Sequence, residues 1–126
     1  MTKTTPARVL IADDDAAAAE MLAAFVTTRG DAAYLAHDGA MAVRMGADLQ
    51  PDVILLDISM PGMNGYETCR QLRANPRSSG AFIVALTGWG QEQDKLHAMR
   101  SGFDAHLTKP ADLELLEKLL AEASAR

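Results

Sequence analysis

Three apolar stretches end in charged side chains whose types suit metal-assisted phosphoryl chemistry. Val53-Ile54-Leu55-Leu56 runs into Asp57, Arg8-Val9-Leu10-Ile11-Ala12 into Asp13-Asp14, and Ala105-His106-Leu107-Thr108 into Lys109. Charges at strand-like ends point to a site on the carboxyl edge of a parallel sheet, where open α/β folds place their ligands. Two carboxylates about 4 Å apart repel by about 4 kcal/mol at a dielectric typical of protein surfaces, so three converging ones favour protonation or a bound cation. A divalent metal is the simpler solution. All-oxygen donors select a hard ion, and Mg²⁺ combines one or two carboxylates with waters and a phosphate oxygen.

The elements that must position these groups alternate between short apolar runs and amphipathic helical stretches, the pattern of a doubly wound α/β domain. Strands are predicted over Arg8 to Ala12, Ala32 to Ala36, Val53 to Leu56, Phe82 to Leu86 and Ala105 to Thr108. The first helix is expected to turn Ala18, Met21, Leu22, Phe25 and Val26 inward and to close at Gly30. Further helices are predicted over Ala40 to Leu49, Tyr66 to Arg73, Gln91 to Ser101 and Asp112 to Ala123, the last with Leu113, Leu116 and Leu120 on its inner face. Internal repeats and linkers are absent.

At 126 residues the chain has room for one domain and one sizeable core. Twelve basic against 17 acidic residues leave a net charge of −5, which provides no footprint for nucleic acid. Cys69 is the single cysteine, so no internal disulfide can form. No signal-peptide pattern precedes the first strand and no apolar stretch approaches the roughly 20 residues that cross a bilayer, so a cytoplasmic protein without membrane contact is expected.

In four places the residues resemble the receiver domains of two-component response regulators. These are Asp13-Asp14 after the first strand, Asp57 with Met60-Pro61-Gly62-Met63-Asn64-Gly65, Thr87-Gly88 after the fourth, and Lys109-Pro110 after the fifth. Each is weak alone; their order and their placement at strand ends make the joint signal strong. The resemblance extends from Val9 to about Leu120 and implies a single receiver domain over residues 1–126, with its core at about 8–123. It further implies a flavodoxin-like five-stranded parallel sheet in the order 2-1-3-4-5 with helices on both faces. By the same resemblance Asp57 is the phosphoacceptor, attacking a phosphoryl group carried on the histidine of a histidine kinase or histidine phosphotransfer protein. Asp14, Asp57 and the backbone carbonyl of Ser59 would ligate Mg²⁺, with Asp13 acting through water. Lys109 and the Thr87 hydroxyl would hold phosphoryl oxygens, Gly88 would leave the approach open, and an unknown downstream protein would receive the signal. Such a domain catalyses only its own phosphorylation and dephosphorylation.

Plainer readings stand beside these. The three aspartates suit a solvated loop that caps the first helix, and for Asp15 that reading is retained. Lys109 suits a surface charge, Pro110 a helix entry and Thr87 a strand end. The Asp13-Asp14-Asp15 run has the Asp-x-Asp spacing of haloacid-dehalogenase-type phosphatases, but Ala16 and Ala17 stand where that family has glycine and threonine. A pseudo-receiver, a binding module that is never phosphorylated, is the main alternative; a nucleotide-binding flavodoxin-like protein lacks the glycine-rich loop it would need after strand one.

Three positions concern switching and docking. Receivers couple the residue matching Thr87 to an aromatic on strand five, where this chain has His106, expected in a half-buried slot as a tolerated substitution or a pH-sensitive element. Trp89 could shield an aspartyl phosphate from water or cover loop surface. Ala16, Ala17, Ala19, Ala23 and Ala24 form a smooth face of the first helix suited to a partner's helices, although alanine is also the best helix former. No output domain is expected after the last helix. Leu86 to Gly90 and Gly102 to Leu107 also resemble receivers fused to hybrid kinases, while Met1 favours an independent protein.

Overall fold

Side-chain alternation along each strand divides the molecule into two cores. The structure, a computed structural model, describes residues 6–88 and 95–124. The elements run β1 (Arg8–Ala12), α1 (Ala16–Thr28), β2 (Ala32–Ala36), α2 (Gly39–Leu49), β3 (Val53–Asp57), α3 (Gly65–Ala74), β4 (Phe82–Thr87), α4 (Lys95–Ser101), β5 (Ala105–Thr108) and α5 (Leu113–Ser124). All strand pairings are parallel and the sheet order is β2-β1-β3-β4-β5, as expected. Leu10, Ile54, Leu56, Ile83 and Ala85 point to the face covered by α2, α3 and the end of α4, where Ala42, Cys69, Leu72 and Phe103 meet them. Their neighbours Val9, Ile11, Leu55, Val84 and Leu86 point the other way and pack on Leu22 and Val26 of α1 and Leu116 and Leu120 of α5. Central strands are buried on both faces, which is why β3 and β4 are continuously apolar up to their last residues, Asp57 and Thr87.

Local signals set the element ends. Asp15, Asp38 and Asn64 cap α1, α2 and α3 by accepting backbone amides of the first turn. Asp112 does the same for α5, accepting from Glu114 at 3.0 Å and Leu115 at 3.3 Å. The chain leaves α1 through Gly30, whose φ of +95° suits a residue without Cβ. At the far end of that helix Arg29 pairs with Glu117 of α5 at 2.9 and 2.8 Å, tying the two helices of one layer together.

Several expectations change. In α1 the buried residues are Ala19, Leu22 and Val26, while Ala18 and Phe25 are half-buried and Met21 is 59% exposed. The helix is rotated by about one position from the predicted inward face because the larger Leu22 and Val26 pair at i, i+4 over the sheet. Ala19 therefore belongs to the core and not to the proposed docking face, and Ala23 is half-buried against the same core. Leu113 is 41% exposed, because α5 turns Leu116 and Leu120 inward and leaves its first residue at the rim. His106 is exposed rather than half-buried, since β5 is an edge strand that buries Leu107. β3 and β4 each run one residue further than predicted, to Asp57 and Thr87, while α2 and α3 each begin one residue earlier, at Gly39 and Gly65. Trp89 and the start of the predicted fourth helix, Gln91 to Asp94, lie outside the described residues.

Candidate functional site

Four strand ends meet at one edge of the sheet. Asp57 closes β3 opposite Leu86 of β4, and Asp13 follows β1, whose Ala12 pairs with Leu56. Asp13, Asp57 and Lys109 each stand two residues after a residue of the α1/α5 core, namely Ile11, Leu55 and Leu107, so strand alternation aims them to one side. Asp13 is held by its amide, which donates to the Ala36 carbonyl at 3.1 Å, and Lys109 by its amide, which donates to the Thr87 carbonyl at 2.7 Å. The Lys109-Pro110 peptide is cis.

The result is a charged cluster at the border of the core. Asp13 is fully buried and Asp57 is 3% exposed, whereas Asp14 faces solvent. One oxygen from each of the three carboxylates lies within 4.8 Å of the others. Lys109 Nζ sits 2.9 Å from Asp13 Oδ2 and 3.3 Å from Asp57 Oδ2. The Asp15 amide donates to Asp13 Oδ1 at 2.9 Å, and the Ser59 amide donates to Asp57 Oδ1 at 3.1 Å. Burial of Asp13 excludes the solvated-loop reading for it, while Asp15 is the helix cap, accepting from Ala17 at 3.1 Å and Ala18 at 3.3 Å.

Electrostatics follow from this crowding. Burial, reinforced by the Asp13 charge, pushes the Asp57 carboxyl up to about 6, against the pull of the Ser59 amide and Lys109. Burial works against the Lys109 ammonium, but its close ion pair with Asp13 and the charge of Asp57 outweigh that and raise it above its ordinary value. Asp13 Oδ2 is buried and, among the described residues, receives no well-aligned hydrogen bond despite its ion pair with Lys109. A buried carboxyl oxygen in that state, beside two further carboxyl groups and no nitrogen or sulfur donor in the cluster, fits a hard divalent cation.

Thr87 is brought to the same edge, but its hydroxyl donates to the Leu107 carbonyl at 3.3 Å. The sequence reading missed this tie, and no residue type signals it, because every residue carries a backbone carbonyl. Ser59 is exposed in the loop after Asp57, and Gly88 is half-buried after Thr87. His106 stands next to the bonded carbonyl, on the same strand.

The family model for the response regulator receiver domain matches residues 9–121. The chain belongs to that family. This receiver domain is 37% identical over 114 residues to the protein PilH of Pseudomonas aeruginosa, covering 90% of this chain and 94% of that one. It is also 37% identical over 107 residues to RpaA of Synechocystis sp., a DNA-binding dual master transcriptional regulator. There the match covers 85% of this chain but 44% of the relative, so the receiver domain spans less than half of that protein's length. Among solved structures it is similar to the receiver domain of a sensor histidine kinase from Pseudomonas aeruginosa, at a TM-score of 0.87 and 25% identity over 97% of this chain and all (100%) of the other. That structure holds a magnesium ion coordinated in its active-site cleft. Among the described residues of this receiver domain, no helix is long and apolar enough to cross a membrane.

Proposed function

We propose that this receiver domain accepts a phosphoryl group on Asp57 from the phosphohistidine of a histidine kinase or histidine phosphotransfer protein, and that the modification alters its surface for a downstream protein. The observation that carries the reading is the convergence of Asp13, Asp14, Asp57 and Lys109 at one sheet edge, with an acceptor carboxylate 3% exposed. Asp14, Asp57 and the Ser59 carbonyl would hold Mg²⁺, with Asp13 acting through water. When bound, the ion offsets negative charge on the phosphoryl oxygens.

In the transfer, a carboxylate oxygen of Asp57 forms a bond to phosphorus as the donor's nitrogen–phosphorus bond breaks, and the imidazole leaves with the bonding pair. The chain contributes position and counter-charge rather than acid–base chemistry. The Ser59 amide orients Asp57 through Oδ1, and Lys109, already 3.3 Å from Oδ2, stays beside the incoming oxygens as a fixed positive charge. The Thr87 hydroxyl must exchange the Leu107 carbonyl for a phosphoryl oxygen. That exchange releases a bond to β5 next to His106, so the acyl phosphate would be reported on the β5 edge. The exposed side chain of His106 removes any need for it to rotate within a tight slot.

The donor's approach is read from α1. Ala16, Ala17 and Ala24 are exposed, and Met21 and Leu113 flank a groove with Ala18 and Pro110 that opens onto Asp13 and Lys109. A helix carrying the phosphohistidine would lay apolar side chains there. Glutamate at Ala17 or Ala24 is expected to weaken partner binding with little change in stability. The domain would act on no free substrate, and its partners would be cytoplasmic proteins rather than nucleic acid or membrane.

The decisive test is intact-protein mass after incubation with a small acyl phosphate and Mg²⁺, with and without EDTA, beside Asp57→Ala. A Mg²⁺-dependent gain of one phosphoryl group that the variant lacks is expected. No gain either from that donor or from a phosphorylated histidine phosphotransfer protein would transfer support to the pseudo-receiver reading.

A further inference from the structure

We infer that Gly39, in the first turn of α2, is a positioning residue for the cation and phosphoryl site, because its missing Cβ lets the loop after Asp57 close toward the loop carrying Asp13 and Asp14. The inference rests on the proposed function of that site. A Cβ at Gly39 would lie 2.4 Å from Thr68 Oγ1, 2.9 Å from the Met63 carbonyl oxygen and 3.1 Å from Met63 Cβ. Distances under about 3 Å force something to move, which applies to Thr68 Oγ1 and to the Met63 carbonyl oxygen of the 59–64 loop, and Met63 Cβ must give by a few tenths of an ångström. Thr68 has little freedom to yield, being fully buried with its hydroxyl donating to the Asn64 carbonyl at 2.8 Å.

Displacement of Met63 has few outlets. The loop is pinned at its base, where the Gly65 amide donates to the Ile58 carbonyl at 2.9 Å and the Ile58 amide donates to the Leu86 carbonyl at 3.1 Å. Gly65 itself packs so closely that a Cβ there would lie 2.5 Å from the Asp57 carbonyl oxygen. Met60 is anchored in the core at 4% exposure. The shift must therefore be taken up around Ser59 and Gly62, and Ser59 is the residue whose amide holds Asp57 Oδ1. On its other side Gly39 follows β2, whose Ala36 carbonyl holds the Asp13 amide at 3.1 Å. Gly39 thus spans the two backbone supports of the carboxylate cluster without touching a carboxylate.

Gly46 supplies an internal control. It lies on the same helix, and a Cβ there would meet Leu72 Cδ2 at 2.5 Å, an equally close collision directed into the core and away from the loop. Mg²⁺ would be titrated calorimetrically into the parent, Gly39→Ala, Gly46→Ala, Thr68→Ala and the double variant Gly39→Ala/Thr68→Ala. Urea unfolding in EDTA and amide exchange across residues 59–64 would be measured on each. Gly39→Ala is expected to bind Mg²⁺ about tenfold more weakly and to exchange faster in the loop, while Gly46→Ala binds within twofold of the parent whatever its stability. The double variant removes the Thr68 collision and leaves the Met63 contact to act alone; it should fold and bind more weakly than Thr68→Ala. Parent-like affinity in Gly39→Ala, an equal loss in Gly46→Ala, or failure of both Gly39 variants to fold would overturn the assignment to Gly39 and leave the site reading intact. A parent that binds no Mg²⁺ would overturn both.

Discussion

Replacing Asp57 by asparagine should make the metal-free protein more stable at neutral pH. The amide side chain keeps the shape of the carboxylate and can still accept from the Ser59 amide, 3.1 Å from Oδ1 in the parent. It removes a charge that burial and Asp13 disfavour. The folded carboxyl is raised from 3.8 to about 6, so ionising it costs the native state about 3 kcal/mol relative to the unfolded chain. That figure already includes the favourable pairing with Lys109, and water reaching the cluster beside exposed Asp14 lowers it to about 1–3 kcal/mol. The sign fixes a pH window. Between about 4 and 6 the native state binds more protons than the unfolded one, so the parent loses stability as pH rises through that range, and the loss is complete near pH 7. The Asp57→Asn variant lacks this dependence. Urea unfolding followed by circular dichroism in EDTA should find it about 1–3 kcal/mol more stable at pH 7.5, with a thermal midpoint roughly 3–12 °C higher, and the gap should shrink toward pH 4. Saturating Mg²⁺ should close the gap at pH 7.5 by stabilising the parent alone, by about 3 kcal/mol at a hundredfold excess over Kd. A parent as stable as the variant at pH 7.5, with a gap indifferent to pH, would refute the electrostatic account of the site.

Other consequences can be checked on the same protein. Thr87→Val removes the hydroxyl bonded to Leu107 and should change stability by about 1 kcal/mol, yet it should abolish phosphorylation-induced shifts of the His106 and Leu107 amide resonances in nuclear magnetic resonance spectra. Cys69 is fully buried and burial pushes its thiol up to about 11, so a disulfide reagent at pH 8 should label the folded protein at least about 100-fold more slowly than the urea-unfolded chain. Leu116→Ala, at a fully buried position on the inner face of α5, should cost about 2–5 kcal/mol in urea unfolding and leave Mg²⁺ affinity unchanged.

Much of the domain was legible in the chain because the determining physics is local. Apolar runs bounded by Gly, Pro or acidic residues marked all five strands, and β1, β2 and β5 have the predicted limits. Asp15 was readable as a cap because capping involves a side chain and the two amides just after it. The cluster was legible for a different reason: charges that end apolar runs have nowhere to go but the sheet edge, and parallel strands bring those ends together. What tertiary structure decided are quantities set by residues far apart in sequence. Rotation of α1, which exposes Met21 and buries Ala19, depends on the sheet beneath it, and the exposure of His106 depends on β5 being an edge strand. The tie from Thr87 to Leu107, the closeness of Gly39 to Met63 and the raised carboxyl of Asp57 depend on what surrounds each group. Residue type dictates which charges and hydrogen bonds are available, whereas burial and distance, which decide their energies, exist only once separate segments have packed.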